Sequence, residues 1–141
     1  MNPYAPVAIT ASTTLDRRIH GGTTTVVNAA AGATITLPAA TGSGDEYTIF
    51  VGTTISSNSL IIRVANASDI MQGVLSVATD IAGVTCPTTS TSDTITMSGS
   101  TTGGVKGSYV VLQDVAENVW EVSGALVSTG TEATPFSAAV S

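Results

Sequence analysis

Basic side chains are nearly missing from this chain. Arg17, Arg18, Arg63 and Lys106 are its whole supply of Lys and Arg in 141 residues, and the formal net charge is −6. A surface that tracks nucleic-acid phosphates needs clustered Lys and Arg, so no nucleic-acid partner is expected. An anionic membrane would repel the chain for the same reason, so no membrane partner is expected either. Cysteine is reduced to Cys86. One cysteine cannot close an intrachain disulfide, so a reducing cytoplasm is compatible. With His20 as the only histidine, one chain cannot supply a closed N/S zinc site. Long hydrophobic runs are also missing: none approaches the roughly 20 residues of a spanning helix. The opening MNPYAPVAITAS has neither a basic n-region nor a continuous apolar core, so it does not read as a signal peptide.

Charge of either sign is scarce. Asp, Glu, Lys and Arg make up 10% of the residues, against roughly 25% in an ordinary globular domain. Thr, Ser, Ala and Gly fill the gap, and mean hydropathy is +0.38. A hydrophobic fraction of 43% excludes compositional disorder. So little ionic surface on so apolar a chain points to a surface partly covered by partners.

What is abundant is alternation with period two. TTTVV (23–27), ATITL (33–37), EYTIFVG (46–52), LIIRVA (60–65), VLSVATD (74–80), DTITMS (93–98), SYVVLQDV (108–115) and NVWEVSG (118–124) are rich in Val, Ile and Thr. Gly, Asn, Ser and Pro separate them, which is the pattern of short strands joined by turns. The expectation is one all-β domain over 1–141, an antiparallel β-sandwich or barrel of about eight short strands. A single helical turn is expected at ASDIMQG (67–73), with Ser68 as its cap. Residues 1–13 and 128–141 lack the alternation and read as extended N- and C-terminal arms in contact with neighbouring chains. Pro3, Tyr4 and Pro6 in the first arm and Phe136 in the second are candidate interface residues.

Motifs that carry chemistry are few. SGSTTGGVKGS (98–108) spaces Gly99 and Gly104 like the glycines of a Walker A loop. That loop needs Lys directly after the second Gly, then Ser or Thr, then a helix N-terminus. Here Val105 follows Gly104, Lys106 is one place late, and Ser108 follows Gly107 and leads into an alternating strand. A glycine-rich hairpin loop is the expectation. His20 lies four residues after Asp16, but no Ser sits in a nucleophile-elbow context. Asp45, Glu46, Asp80, Asp93, Asp114 and Glu117 fall at strand edges, where solvated acids are normal, and no EF-hand spacing is present. Asn66-Ala67-Ser68 matches the glycosylation sequon by chance. Neither a catalytic site nor a cofactor is expected. Arg17-Arg18 is the one cationic doublet; it reads as a solvated strand edge or, since its planar forks suit interfaces, as an ion pair with an acidic neighbouring chain. Trp120 alternates with Val119 and Glu121 and reads as a core or interface anchor, with sugar stacking as the sharper alternative.

Three stretches carry a resemblance: GGTTTVVNAAAGATITLPAATGSGDEYTIFVGTTISSNSLIIRVAN (21–66), SDTITMSGSTTGGVKGSYVVLQDVAENVWEVSG (92–124) and GTEATPF (130–136). Their order is a TITLP strand, a glycine turn, a Y-x-I-x-V strand, a V-A-N-A segment, a T-I-T hairpin and a strand around the Trp. In this the chain resembles a group of small virion proteins of tailed bacteriophages, encoded among the head genes. The resemblance implies a capsid decoration, or cement, protein. Such a protein would be a homotrimer bound to the major capsid protein on the outer surface of the virion, with no catalytic motif. Related modules occur in head and tail fibres, which implies the alternative of a module that binds bacterial surface glycans.

Overall fold

The structure, a computed structural model, describes residues 4–141. Pro3 therefore lies outside the described residues. Alternating Val, Ile and Thr build twelve strands: β1 (Val7–Ile9), β2 (Thr13–Thr14), β3 (Thr24–Val27), β4 (Ala33–Thr36), β5 (Glu46–Val51), β6 (Leu60–Arg63), β7 (Ile70–Ala78), β8 (Gly83–Pro87), β9 (Thr94–Met97), β10 (Tyr109–Ala116), β11 (Val119–Val127) and β12 (Phe136–Ser137). The fold is all-β, and no helix occurs among the described residues.

Two sheets form. One has seven strands in the order β1-β3-β5-β10-β11-β7-β8, the other five in the order β12-β9-β6-β4-β2. Both are mixed rather than antiparallel. β1 with β3, β3 with β5, β7 with β11, β2 with β4, and β4 with β6 pair in parallel. The reason is how the chain travels. From β1 to β6 successive strands alternate between the two sheets. The antiparallel arrangement expected of the sheets does not hold here, because the segments 23–37 and 46–65 are arches: each strand pairs sideways with the strand two places on, which runs the same way. Parallel neighbours need a crossover, and here the crossover is a strand of the other sheet.

Four strands beyond the expected eight account for the higher count. β1, β2 and β12 have two or three residues, and β8 is mostly exposed and ends on Pro87. Both chain ends thus pair into sheet edges of their own molecule, β1 beside β3 and β12 beside β9. The expected helical turn at 67–73 is instead a side-chain turn followed by β7. Asn66 Oδ1 accepts from the Ser68 and Asp69 backbone N–H groups at 2.9 and 3.1 Å. Asn outcompetes the helix by bonding its own backbone, and Ser68 caps nothing.

Inward residues of both sheets interdigitate. Ile35, Leu60, Ile62, Ile95 and Met97 from the smaller sheet join Tyr47, Ile49, Met71, Leu75, Leu112 and Trp120 from the larger one, all fully buried. Each such aliphatic side chain contributes roughly 1.5–3 kcal/mol by leaving water.

The glycine-rich segment 98–108 is not a hairpin loop. β9 lies in the five-stranded sheet and β10 in the seven-stranded one, so the segment carries the chain between them. Gly99 has φ +85°, and a Cβ there would sit 1.9 Å from the Ile55 carbonyl oxygen. Its N–H donates to Gly103 O at 2.7 Å, and Ile55 N–H donates to Gly104 O at 2.9 Å. The glycines allow two backbones to touch, and β10 follows where a Walker A loop would start a helix.

Candidate functional site

Two features stand out, and register produces both. The first is the outer face of the seven-stranded sheet. One row of paired residues crosses every strand of it: Ala8, Val26, Phe50, Tyr109, Ala125, Ser76, Thr85. Val111, Val115, Val119, Val127 and Val74 point the same way by alternation, while Val110 and Leu112 point inward. Tyr109, Val74, Val115 and Val127 are each at least 40% exposed. Charge on these strands reaches the face only at one end, where Glu46, Gln113, Glu121 and Gln72 form a row. With strands about 4.8 Å apart, seven of them span roughly 29 Å. Its strands run from three residues in β1 to nine in β7 and β11, and the face they make is of the order of the roughly 800 Å² that each partner contributes to a standard interface.

The second feature is a pocket of about 500 Å³ at the end of the sandwich where β2 and β4 finish and β5 starts. Leu15, Asp16, Arg17 and Arg18 form one wall, and Pro38, Ala39, Thr41, Ser43 and Asp45 another. Tyr47, Asp114 and Trp120 complete the lining. The Asp114 carboxylate holds the second wall in shape. Its Oδ1 accepts from Gly42 N–H at 2.7 Å, and its Oδ2 accepts from Thr41 N–H at 3.0 Å, Ser43 N–H at 3.2 Å and the Ser43 hydroxyl at 2.8 Å. Burial pushes the Asp114 pKa up, but the bonds from Thr41, Ser43 and Gly42 outweigh it and hold the group below the ordinary carboxylate value. On the first wall, Asp16 Oδ1 accepts from Arg18 N–H at 2.7 Å, and His20 Nδ1 accepts from Asp16 N–H at 3.0 Å. Arg17 Nη2 meets Asp45 Oδ1 at 3.0 Å and joins the two walls. Tyr47 and Trp120 are both 1% exposed, with ring centroids 5.9 Å apart and tilted by 60°. Burial, then the nearby Asp45 carboxylate, pushes the Tyr47 phenol up to about 12, so it stays protonated as a donor.

The pocket brings Arg17, Arg18 and Trp120 together from distant parts of the chain. Trp120 belongs to the core, so its ring offers no open face for a partner or for stacking. Arg17 pairs with Asp45 of its own chain. The other candidates lie elsewhere. Tyr4 and Pro6 are exposed beside the start of β3, where Thr23 Oγ1 donates to the Tyr4 and Ala5 carbonyls. Phe136 is half-buried on β12, in a groove shared with Thr85, Cys86 and Pro87 of β8.

Sequence reasoning overlooked Tyr47, Asp16, Asp45 and Asp114 as a group, and it treated Asp93 and Asp114 as solvated acids. Both are buried. Parity carries the signal for Asp114: it shares the inward side of β10 with Val110 and Leu112. Asp93 accepts from Thr94 Oγ1, Val140 N–H and Ser141 N–H at 2.8–3.1 Å and so clasps the C-terminal tail. Among the described residues no cluster of three or more His, Cys, Asp or Glu is placed to hold a metal ion. In comparisons with known proteins, no family model, no curated protein and no solved structure matches the chain.

Proposed function

We propose that this chain is a structural adhesive of a phage particle: a capsid decoration protein that associates with itself and with the outer surface of the head. The observation that carries the reading is the apolar, nearly uncharged outer face of the seven-stranded sheet, crossed by the row from Ala8 to Thr85. Exposed apolar patches of this extent mark interaction surfaces. Three copies that turn this face toward a common axis close a triangular prism, so that a trimer leaves no such face in water. A trimer then meets three shell neighbours at once. The second and third contacts become effectively intramolecular, and modest individual contacts add up to firm attachment. The acidic side chains keep the assembled surface soluble. The major capsid protein is the partner, the virion surface is the location, and catalysis has no part in the role.

The test is co-sedimentation with expanded, undecorated heads. Saturable binding in multiples of three copies supports the reading. A protein that stays in the supernatant at every head concentration contradicts it.

A further inference from the structure

We infer that β8 pairs edge to edge with β8 of a second copy of this chain, antiparallel, about a two-fold axis at Thr85. Three observations meet on this strand. The first is its backbone. β8 is antiparallel to β7, with Val84 opposite Val77 and Cys86 opposite Leu75. Just beyond the two ends of the ladder, Thr79 N–H donates to Ala82 O and Thr88 N–H to Gly73 O. Hydrogen-bonded and non-bonded pairs alternate, so Val84 and Cys86 bond to β7. The N–H and C=O groups of Gly83 and Thr85 point the other way, toward the free edge. Pro87 has the same parity, where a missing N–H takes nothing from the ladder. Of the four edge strands β8 is the longest, with five residues against three in β1 and two each in β2 and β12. The second observation is Val84, which shares the core-facing side with Val77 and Cys86 yet is 43% exposed. The core is open along this edge. The third is a groove of about 420 Å³ lined by Thr85, Cys86 and Pro87 and, across from them, by Phe136 and Ser137 of β12. Three consecutive residues of both parities line it, so it runs beside the strand and not beneath one face. Unpaired backbone, an uncovered core-facing side chain and room beside them are what an added strand fills.

Self-complementarity selects the occupant. With the axis at Thr85, Thr85 meets Thr85 of the second copy, Gly83 meets Pro87, and Val84 meets Cys86. The two Thr85 residues exchange both their bonds, and each Gly83 N–H donates to a Pro87 carbonyl. Val84 and Cys86 form the closely spaced, non-hydrogen-bonded pair and cover each other on the core-facing side. β8 carries no charged residue, so two copies meet there without repulsion although the chain's net charge is −6. Natural sheet edges block such pairing with charged side chains. Five residues a side fall far short of the roughly 20–30 in a standard interface, so the pairing is weak by itself. It links copies that are already held close together and leaves free copies at tens of micromolar unassembled. The edge is separate from the apolar outer face and does not depend on the decoration role.

Disulfide trapping of the full chain tests the inference, with Cys86→Ala removing the native thiol from every variant. The pairing brings the two Thr85 Cα atoms to roughly 5.5 Å, within the reach of a disulfide. Under copper–phenanthroline oxidation, Thr85→Cys is expected to give a covalent species of about 28 kDa, two copies of the 14.0 kDa chain. Pro87→Cys is the register control. Pro87 pairs with Gly83, four residues from Pro87 of the second copy, which leaves the two control thiols roughly 14 Å apart along the strand and too far to bond. Scaled to each thiol's reaction with a small disulfide reagent, Thr85→Cys should cross-link about tenfold faster than Pro87→Cys or more. Val84→Lys puts an inward-pointing charge on the edge at a side chain that is already partly exposed. It should bring the Thr85→Cys rate down to that of the control with the circular dichroism spectrum unchanged. The same cross-link is expected in a chain that also carries Tyr109→Lys and Val111→Lys, which strip the outer face of its apolar centre, so the bond reports on the edge and not on that face. The inference is overturned if Thr85→Cys cross-links no faster than Pro87→Cys, if Val84→Lys leaves its rate unchanged, or if the two outer-face substitutions abolish the bond.

Discussion

On the seven-stranded sheet the outward row runs Ala8, Val26, Phe50, Tyr109, Ala125, Ser76, Thr85. On the five-stranded sheet an outward row runs Thr14, Thr36, Arg63, Thr94, Ser137. Both rows cross a whole sheet. They differ in what they ask of their surroundings. The second row offers hydroxyls and a guanidinium and is at home in water. Thr94, its buried member, donates to Asp93 instead. The first offers mainly rings and methyls, with hydroxyls only from Ser76 and Thr85 at one edge, and each 100 Å² of apolar surface that leaves water is worth roughly 2.5 kcal/mol. One sandwich therefore has a mainly apolar side and a polar side.

The largest effect is expected where the comparison is broken outright. Replacing Tyr109 and Val111 together by Lys gives the first face the character of the second. Co-sedimentation with heads should then fall at least a hundredfold, or about 2.7 kcal/mol. Tyr109 is exposed and Val111 half-buried, so the circular dichroism spectrum should stay that of the parent. Next is Asp93→Ala, which strands the Val140 and Ser141 amides and loosens the end of the chain beside β12. A loss of roughly 2–3 kcal/mol in urea unfolding is expected, with faster hydrogen exchange at 136–141 and head binding unchanged.

Acid should act on the same carboxylate and on Asp114. Burial raises the Asp93 pKa, but bonds from Thr94, Val140 and Ser141 overcome it and leave the group below its ordinary value of 3.8. Asp114 is lowered likewise. Because the folded values are depressed, their contribution to stability is present in full above 3.8 and is lost as pH falls below it through the lowered values. Unfolding free energy should therefore be flat in these groups at neutral pH and drop only in that acidic window, with Asp93→Asn flattening part of the drop. The smallest effect is expected on the wet side. Thr36→Val with Thr96→Val, both half-buried and outward, should change stability by no more than about 0.5 kcal/mol and head binding by less than twofold.

Alternation made eight strands legible, and they are β3 to β7 and β9 to β11. It also put Trp120 on the side of Val122, where the core lies. Pairing was not legible, because TTTVV-NAAAG-ATITL reads the same whether the two strands hydrogen-bond to each other or arch across a sandwich. Only contacts distant in sequence, such as Val27 beside Val51 and Ile35 beside Ile62, decide that. The short edge strands escaped because two or three residues carry no measurable period. At the pocket, the Arg17-Arg18 doublet was visible as a motif, whereas Asp16, Asp45 and Asp114 looked like three unrelated surface acids. They meet because the ends of β2 and β10 and the turn before β5 converge on one end of the sandwich.

Sedimentation equilibrium of the purified chain, beside the Tyr109→Lys, Val111→Lys variant, tests the central claim most directly. The account predicts a species of about 42 kDa, three copies of the 14.0 kDa chain, that collapses to single copies in the variant. A monomeric parent at tens of micromolar, or a variant that assembles as well as the parent, would contradict it.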